Sequence, residues 1–373
     1  MKTICIDCRY LGNRPSGIGE VTRALVDYAP LLAPEHRFVL IRNANRTEAL
    51  STASNVTEIA MKSPANGPGT LWFLPSLVSL RDVDLFHAPF NILPRGLNMK
   101  TLATVHDIMW LTHPKWCNPT AYGMIESRFY THGINRALDR ASAIATVSEA
   151  TKKAIVEHRP DVEDRVHVTM SGVSNRFRKV DIDEAVLRRI GLAPGQQFIL
   201  AAGQNAPYKN HKGALEGFAG AFADRPDIAL VMVQRRGSGA GDLSSLARTL
   251  GIEDRVHFTG TVGFETLLQL YSGALALLHP SLCEGFGNPV AEAMACGCPV
   301  ITSNLSAMPE VAGEAALLVD PRDSSDIARN LRRVAQDRDL TATMRKNGFQ
   351  RAKELSWQSF ARKNVELYTK LLA

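Results

Sequence analysis

Residues 279–304, HPSLCEGFGNPVAEAMACGCPVITSN, concentrate the side chains and backbone that hold anions and sugars. The segment begins where an apolar run ends. Gly285 and Gly287 flank Phe286, and a backbone without side chains lets a ligand approach closely. Asn288-Pro289 opens a predicted helix; proline suits the first turn, where its missing N–H is harmless. A helix that starts there aims its free N–H groups at the glycine loop, an arrangement suited to a diphosphate. Glu284 precedes the glycines and Glu292 lies one turn into the helix, giving E-x7-E. A carboxylate accepts paired hydrogen bonds from a vicinal diol. On that chemistry Glu284 takes the hydroxyls of a sugar and Glu292 those of a ribose, with Gly285, Phe286, Gly287 and Asn288 lining the donor. Taken alone, the same pair also fits a solvated loop glutamate and a helix-surface glutamate.

The elements that position this segment alternate along the chain. Short apolar runs at 3–8, 38–41, 84–87, 101–106 and 143–147 read as strands, with helices at 18–32 and 122–141. A polar, arginine-rich stretch follows at 174–189, and the alternation restarts. Strands are expected at 198–202, 228–233, 256–258, 274–278, 299–302 and 316–319, and helices at 213–222, 264–272 and 288–295. Alternating strands and helices imply an α/β fold with parallel sheets covered on both faces. The expected division is a first Rossmann-like domain over 1–178, completed by the amphipathic helix 357–373, and a second over 179–356. Doubly wound domains bind ligands at the carboxyl ends of their strands, so two that face each other share one cleft.

Composition narrows the function classes. The chain has 373 residues, 45% hydrophobic and 21% charged, an ordinary globular composition. No run approaches the ~18 apolar residues of a membrane span. The opening MKTICID reads as a first strand rather than a signal peptide, so a cytoplasmic protein is expected. Of six cysteines, at 5, 8, 117, 283, 296 and 298, Cys5 and Cys8 form a C-x-x-C, but inside a predicted strand rather than at a helix start, and Cys296 and Cys298 have no histidine nearby, so all six read as reduced thiols. Most of the net charge of +6 falls in the first half of the chain. It fits an anionic acceptor or membrane surface as well as ordinary surface charge, and no nucleic-acid motif accompanies it. Gly17 and Gly19 follow the first strand, but a dinucleotide fingerprint would place its third glycine at Thr22. The second strand also ends in Arg42-Asn43 rather than a ribose-binding acid, which excludes a nicotinamide reading. The apolar stretch 67–80, GPGTLWFLPSLVSL, suits either a helix packed on its own domain or a peripheral contact with the inner face of a membrane.

EGFGNPVAEAMACGCPV resembles the signature of family four of the retaining glycosyltransferases, which have the GT-B fold. Further pieces of that pattern recur in order along almost the whole chain: S-G-I-G at 16–19, H-A-P-F-N-I-L-P at 87–94, T-V-H-D at 104–107, T-V-S-E at 146–149, K-N at 209–210, P-E-V-A-G at 309–313 and L-S-W at 355–357. The resemblance implies two Rossmann-like domains facing across a cleft, with the acceptor on the first and the nucleotide-sugar on the second. It places Lys209 on the donor phosphates, and it puts Gln204 where the family has an arginine. Arg235 or Arg236, at the end of the next strand, is then the candidate for the second cation, although exposed arginines there are as plausible. One lysine at ~4 Å from a phosphate oxygen, at an effective dielectric near 20, contributes on the order of 4 kcal/mol before desolvation. The resemblance also brings His106 to the transferred sugar, not as a general base, and lays the Gly17 loop under the phosphates.

The implied reaction is metal-independent hexosyl transfer with retained configuration, without a cofactor. The style of the sequence resembles bacterial mannosyl- and rhamnosyltransferases of surface-polysaccharide synthesis. A GDP-linked donor is therefore favoured over UDP- or dTDP-linked ones, with a glycan or lipid-linked acceptor. A nucleotide-sugar epimerase of the same fold, a sugar phosphorylase and an inactive donor-binding partner of another transferase stay open as alternatives.

Overall fold

A computed structural model describes residues 1–12, 16–234 and 243–373. The chain forms two compact units. The first comprises Met1–Thr112, Ile125–Gly172 and Ser356–Ala373; the second comprises His113–Met124 and Val173–Leu355.

The first unit is built on a seven-stranded sheet of β1 (Thr3–Asp7), β2 (Arg37–Asn43), β3 (Val56–Met61), β4 (Leu85–Ala88), β5 (Lys100–Val105), β6 (Ala143–Thr146) and β7 (Val166–Val168). The spatial order is β3-β2-β1-β4-β5-β6-β7, and every pairing is parallel. β4 and β6 are buried at every position, as strands covered on both faces must be. The edge strands β3 and β7 were not expected from the sequence. VTEIAM mixes polar residues into a half-exposed edge and VHV is three residues long, so neither carries a long apolar run. Helix Pro68–Leu77 buries Leu71 and Leu74, and the Trp72 ring lies 6.0 Å from that of Phe129. Phe73 and Leu77 of the same helix stay exposed.

The second unit carries a six-stranded parallel sheet of β8 (Gln197–Ala202), β9 (Ile228–Val233), β10 (Val256–Gly260), β11 (Ala276–His279), β12 (Val300–Ser303) and β13 (Ala316–Val319). Its order is β10-β9-β8-β11-β12-β13. β11 starts and ends later than the expected 274–278, so His279 becomes the last residue of a strand. Helices Ser324–Gln336 and Arg338–Glu354 were also not expected; Ile327, Leu331 and Val334 of the first pack into the core of this unit.

The chain enters the second unit at Val173, immediately ahead of the arginine-rich stretch and six residues before the expected start at 179. There the Val173 N–H donates to Leu355 O at 2.9 Å, the point where the chain leaves again. Residues 113–124 also join this unit, with the short helix Pro114–Cys117 lying against Pro207–Lys209. Among the described residues no helix is long and apolar enough to cross a membrane, and none of the six cysteines is in a disulfide.

The last helix, Trp357–Leu372, is fastened to the first sheet by a buried polar bridge. His87 Nδ1 lies 2.7 Å from the Tyr368 hydroxyl, and its Nε2 lies 2.8 Å from Thr104 Oγ1. Burial, with a smaller push from His106, lowers the His87 pKa to about 3. The unfolded chain protonates this ring below about pH 6.5 while the folded chain does not, so stability falls as pH drops from there toward 3. The melting temperature of the first unit is therefore expected to decline through that window. At neutral pH Tyr368→Phe, which strips the ring of one partner, is expected to cost about 1–3 kcal/mol in urea unfolding.

Candidate functional site

In the second sheet the strand order runs outward in both directions from the adjacent pair β8 and β11. A parallel sheet opens a crevice at the carboxyl ends of such a pair. β8 ends at Ala202 and is followed by Gly203, Gln204 and the turn Pro207–Lys209; β11 ends at His279 and is followed by Ser281 and Glu284. Gly203 holds φ +145, a backbone that L side chains rarely adopt, and the Lys209 methylenes pass beside it, 3.5 Å from where a Cβ would sit. Asn210 takes a left-handed backbone (φ 53), which asparagine tolerates better than most residues. It caps helix His211–Ala221 by accepting from Gly213 N and donates to Pro321 O at 2.6 Å. The K-N pair is thus a cation followed by the cap that holds it.

Glu284 is the hub of the site. Its Oε1 accepts from Lys209 Nζ at 2.6 Å and lies 3.1 Å from His279 Nε2. The side chains of Lys209 and Glu284 are each 10% exposed. Burial pushes the Glu284 carboxyl up, but Lys209 and His279 outweigh it and hold the pKa down at about 2. Ser281 Oγ is a second neighbour of His279 Nε2, at 3.1 Å. Gln204, in the arginine's place, donates to the Tyr208 hydroxyl at 3.1 Å.

The backbone of Glu284 is clamped as firmly as its side chain. Its N–H donates to Ser306 Oγ at 3.0 Å, and that hydroxyl donates to Glu284 O at 2.6 Å. Phe286 is buried. Gly287 takes φ +93 as the residue before helix Asn288–Ala295, and a Cβ on it would lie 2.2 Å from Met308 Cε. Glu292, within that helix, accepts from the Tyr271 hydroxyl at Oε2, 2.9 Å away. Burial first, and then Glu292 itself, raise the Tyr271 pKa well above the ordinary value, so the phenol stays protonated and donating.

Gly17 and His106 belong to the first unit. Gly17 is the first residue of helix Gly17–Leu32, whose N-cap Ser16 accepts from Gly19 N at 3.0 Å. His106 follows β5; its N–H donates to Asn91 Oδ1 at 2.7 Å, and Nε2 lies 2.9 Å from the Pro89 carbonyl. A carbonyl can only accept, so Nε2 carries the proton and Nδ1 is left with a lone pair. Burial, opposed by that carbonyl, lowers the His106 pKa to about 4, and the ring is neutral above that. Arg235, with Arg236, lies outside the described residues.

The second unit thus brings Lys209, Gln204, Glu284, Gly285, Phe286, Gly287, Asn288 and Glu292 to the two adjoining strand-end loops and the helix that follows. Sequence reasoning passed over His279, Tyr271, Ser306 and Met308. The position of His279 at the end of an apolar run was a usable signal. Tyr271 is indistinguishable in sequence from a core aromatic of its helix, and Ser306 from a loop serine. Among the described residues no group of three or more His, Cys, Asp or Glu side chains is arranged to hold a metal ion.

Comparison with known proteins agrees with this architecture. Residues 183–351 match the family Glycosyl transferases group 1. The chain is 30% identical over 295 residues to the O-antigen chain mannosyltransferase B of Escherichia coli, covering 78% of this chain and 76% of that protein. It is 24% identical over 374 residues to the serotype-specific mannosyltransferase WbdA of Escherichia coli; that match covers 95% of this chain but only 44% of WbdA. Among solved structures, WaaG, a glycosyltransferase involved in lipopolysaccharide biosynthesis, superposes with a TM-score of 0.73 at 17% identity, covering 99% of this chain and 100% of that one. The fold is accordingly GT-B, an α/β architecture of two Rossmann-like units.

Gly287→Ala combines a backbone that L-residues rarely adopt with a clash on Met308, and is expected to lose about 1–3 kcal/mol in urea unfolding. Introduced together with Met308→Ala, it should recover the clash and keep the backbone strain. Full recovery in the double variant would show that the φ of Gly287 does not matter.

Proposed function

The chain belongs to the glycosyl transferases group 1 and is a hexosyltransferase, and from that premise we propose that it transfers mannose from GDP-mannose with retained configuration. The acceptor is a glycan or lipid-linked saccharide of a surface polysaccharide. The observation that carries the donor assignment is the pair of fixed carboxylates in the second unit, Glu284 beside Lys209 and Glu292 beside Tyr271. Glu292 receives the ribose diol, and the helix starting at Asn288 receives the diphosphate with its N–H groups. Lys209 turns from Glu284 to the phosphates, where negative charge grows as the glycosidic bond breaks. Glu284 is then exposed to the sugar hydroxyls. The mannosyltransferase names of the two Escherichia coli relatives support mannose over other hexoses.

The acceptor hydroxyl attacks the anomeric carbon from the face the diphosphate leaves, and the departing phosphate oxygen takes its proton. No protein carboxylate acts as a covalent nucleophile. His106 contributes a neutral acceptor nitrogen for a hydroxyl of the transferred sugar and does not take the proton of the attacking one. The cations and helix dipole do the work that a metal does in other transferases. The protein acts in the cytoplasm, and Phe73 and Leu77, exposed on helix Pro68–Leu77, dip into the inner face of the membrane beside a lipid-linked acceptor.

Thermal shift with GDP, UDP and dTDP, without metal, tests the donor. A nucleotide at ~100 times its Kd stabilises by about 2.7 kcal/mol, which reads as a shift of a few degrees. GDP is expected to give the shift, Glu292→Ala to weaken it, and EDTA to leave transfer unchanged; a response to UDP alone would overturn the base assignment. Co-sedimentation with anionic liposomes is expected to fall in Phe73→Ser/Leu77→Ser, and an unchanged pellet removes the membrane contact.

A further inference from the structure

His279 is buried at the end of β11, and no role in the reaction described above falls to it. Its surroundings are unusual for a neutral imidazole because two acceptors face it. Nε2 faces Glu284 Oε1, and the backbone of Ala202, at the end of neighbouring β8, hydrogen-bonds the ring as well. A neutral ring has one N–H. With the proton on Nδ1 the ring serves Ala202, Nε2 accepts from the Ser281 hydroxyl, and Lys209 alone neutralises Glu284. Nε2 then turns a lone pair toward Glu284 Oε1, and the carboxylate depends on Lys209 for its cation. Once Lys209 turns to a phosphate, a carboxylate that is 10% exposed loses its cation.

We propose that His279 takes over as the cationic partner of Glu284 when a diphosphate draws Lys209 away, so that donor binding pulls one proton onto the imidazole. This rests on the donor site assigned above and makes His279 a positioning residue for Glu284. A second proton on Nε2 supplies both the hydrogen-bond donor and the charge that Lys209 withdrew, while the Ser281 hydroxyl turns to accept.

The charges facing His279 favour this exchange. Burial, with Lys209 among the smaller causes, lowers the pKa of the ring in the free protein, whereas Glu284 and Ala202 raise it. Departure of Lys209 removes a repelling cation, and the arriving diphosphate adds negative charge. The other titratable neighbour, His211 on helix His211–Ala221, does not compete: its Nε2 is held by Gln204 O at 3.1 Å, and burial lowers its pKa to about 4. From β12, Thr302 Oγ1 donates to the His279 carbonyl and leaves the ring alone.

The sign follows from linkage. His279 is neutral in the free protein at neutral pH and protonated in the complex, so affinity rises as pH falls between the free and the bound pKa. Calorimetry with GDP-mannose, and with UDP-glucose as a second probe, tests this, because the diphosphate of a nucleotide-sugar has no proton to exchange near neutrality. Titrations at pH 7 in buffers of different ionisation heat are expected to show net proton uptake by the wild type and none by His279→Gln. The wild-type Kd should weaken with rising pH by up to about tenfold per pH unit between the free and the bound pKa, and level off above the latter. The wild type also provides a readout that needs no variant: a histidine ¹³Cε1 resonance whose titration midpoint moves to higher pH when the nucleotide-sugar is added. Binding without proton uptake and without a moving histidine resonance would overturn the proposal, as would undiminished uptake in a folded His279→Gln protein. No binding of either nucleotide-sugar would instead remove the donor site itself, and this inference with it.

Discussion

The carboxylate of Glu284 constrains everything around it. A negative charge withdrawn this far from water needs a cation and further donors at hydrogen-bond distance, because leaving it unpaired costs several kcal/mol. Lys209 supplies the cation from one strand end, His279 stands 3.1 Å from the same oxygen at another, and Ser306 fixes the backbone from a third segment. Those three attachments are available together because β8 and β11 are neighbours in a parallel sheet, with β12 next in order. Glycine at 203 and the left-handed asparagine at 210 flank the turn that carries the lysine, each in a backbone conformation that most residues avoid.

Around this pair the site is built to stay still. Met308 covers Gly287 where a Cβ would otherwise stand, and Tyr271 fixes one oxygen of Glu292. Groups that stand in place before a ligand arrives lose less entropy in holding it, and they need no reorganisation as charge develops. The movable member is Lys209, a flexible stem with a point charge. Its exchange between a carboxylate and a phosphate is the one rearrangement that the assigned chemistry requires of the second unit.

The first unit handles its polar groups differently. His87 and His106 are both kept neutral by burial, one spanning two hydroxyls and the other held by a carbonyl. A ring in the state of His106 offers a lone pair and no charge, which suits recognition of a hydroxyl. A pKa near 4 also makes it a weak base at neutral pH, in keeping with a leaving phosphate as the proton acceptor.

The sequence by itself determined the class of fold and the family to which the motif belongs. Strands covered on both faces have to be nearly continuous apolar runs, so β9 was legible to the residue; β13, a partly exposed edge, was legible because ALLV is apolar throughout, and the helix of E-x7-E was legible from its glycines, proline and small apolar face. Edge strands β3 and β7 were not, because a half-exposed edge needs no such run. Only the tertiary structure decided that Lys209 and Glu284 hold each other, that Tyr271 orients Glu292, and that His279 stands between a carbonyl and a carboxylate. These contacts join residues from 5 to 77 positions apart. Sheet order and strand register bring them together, and no local pattern in the chain encodes either.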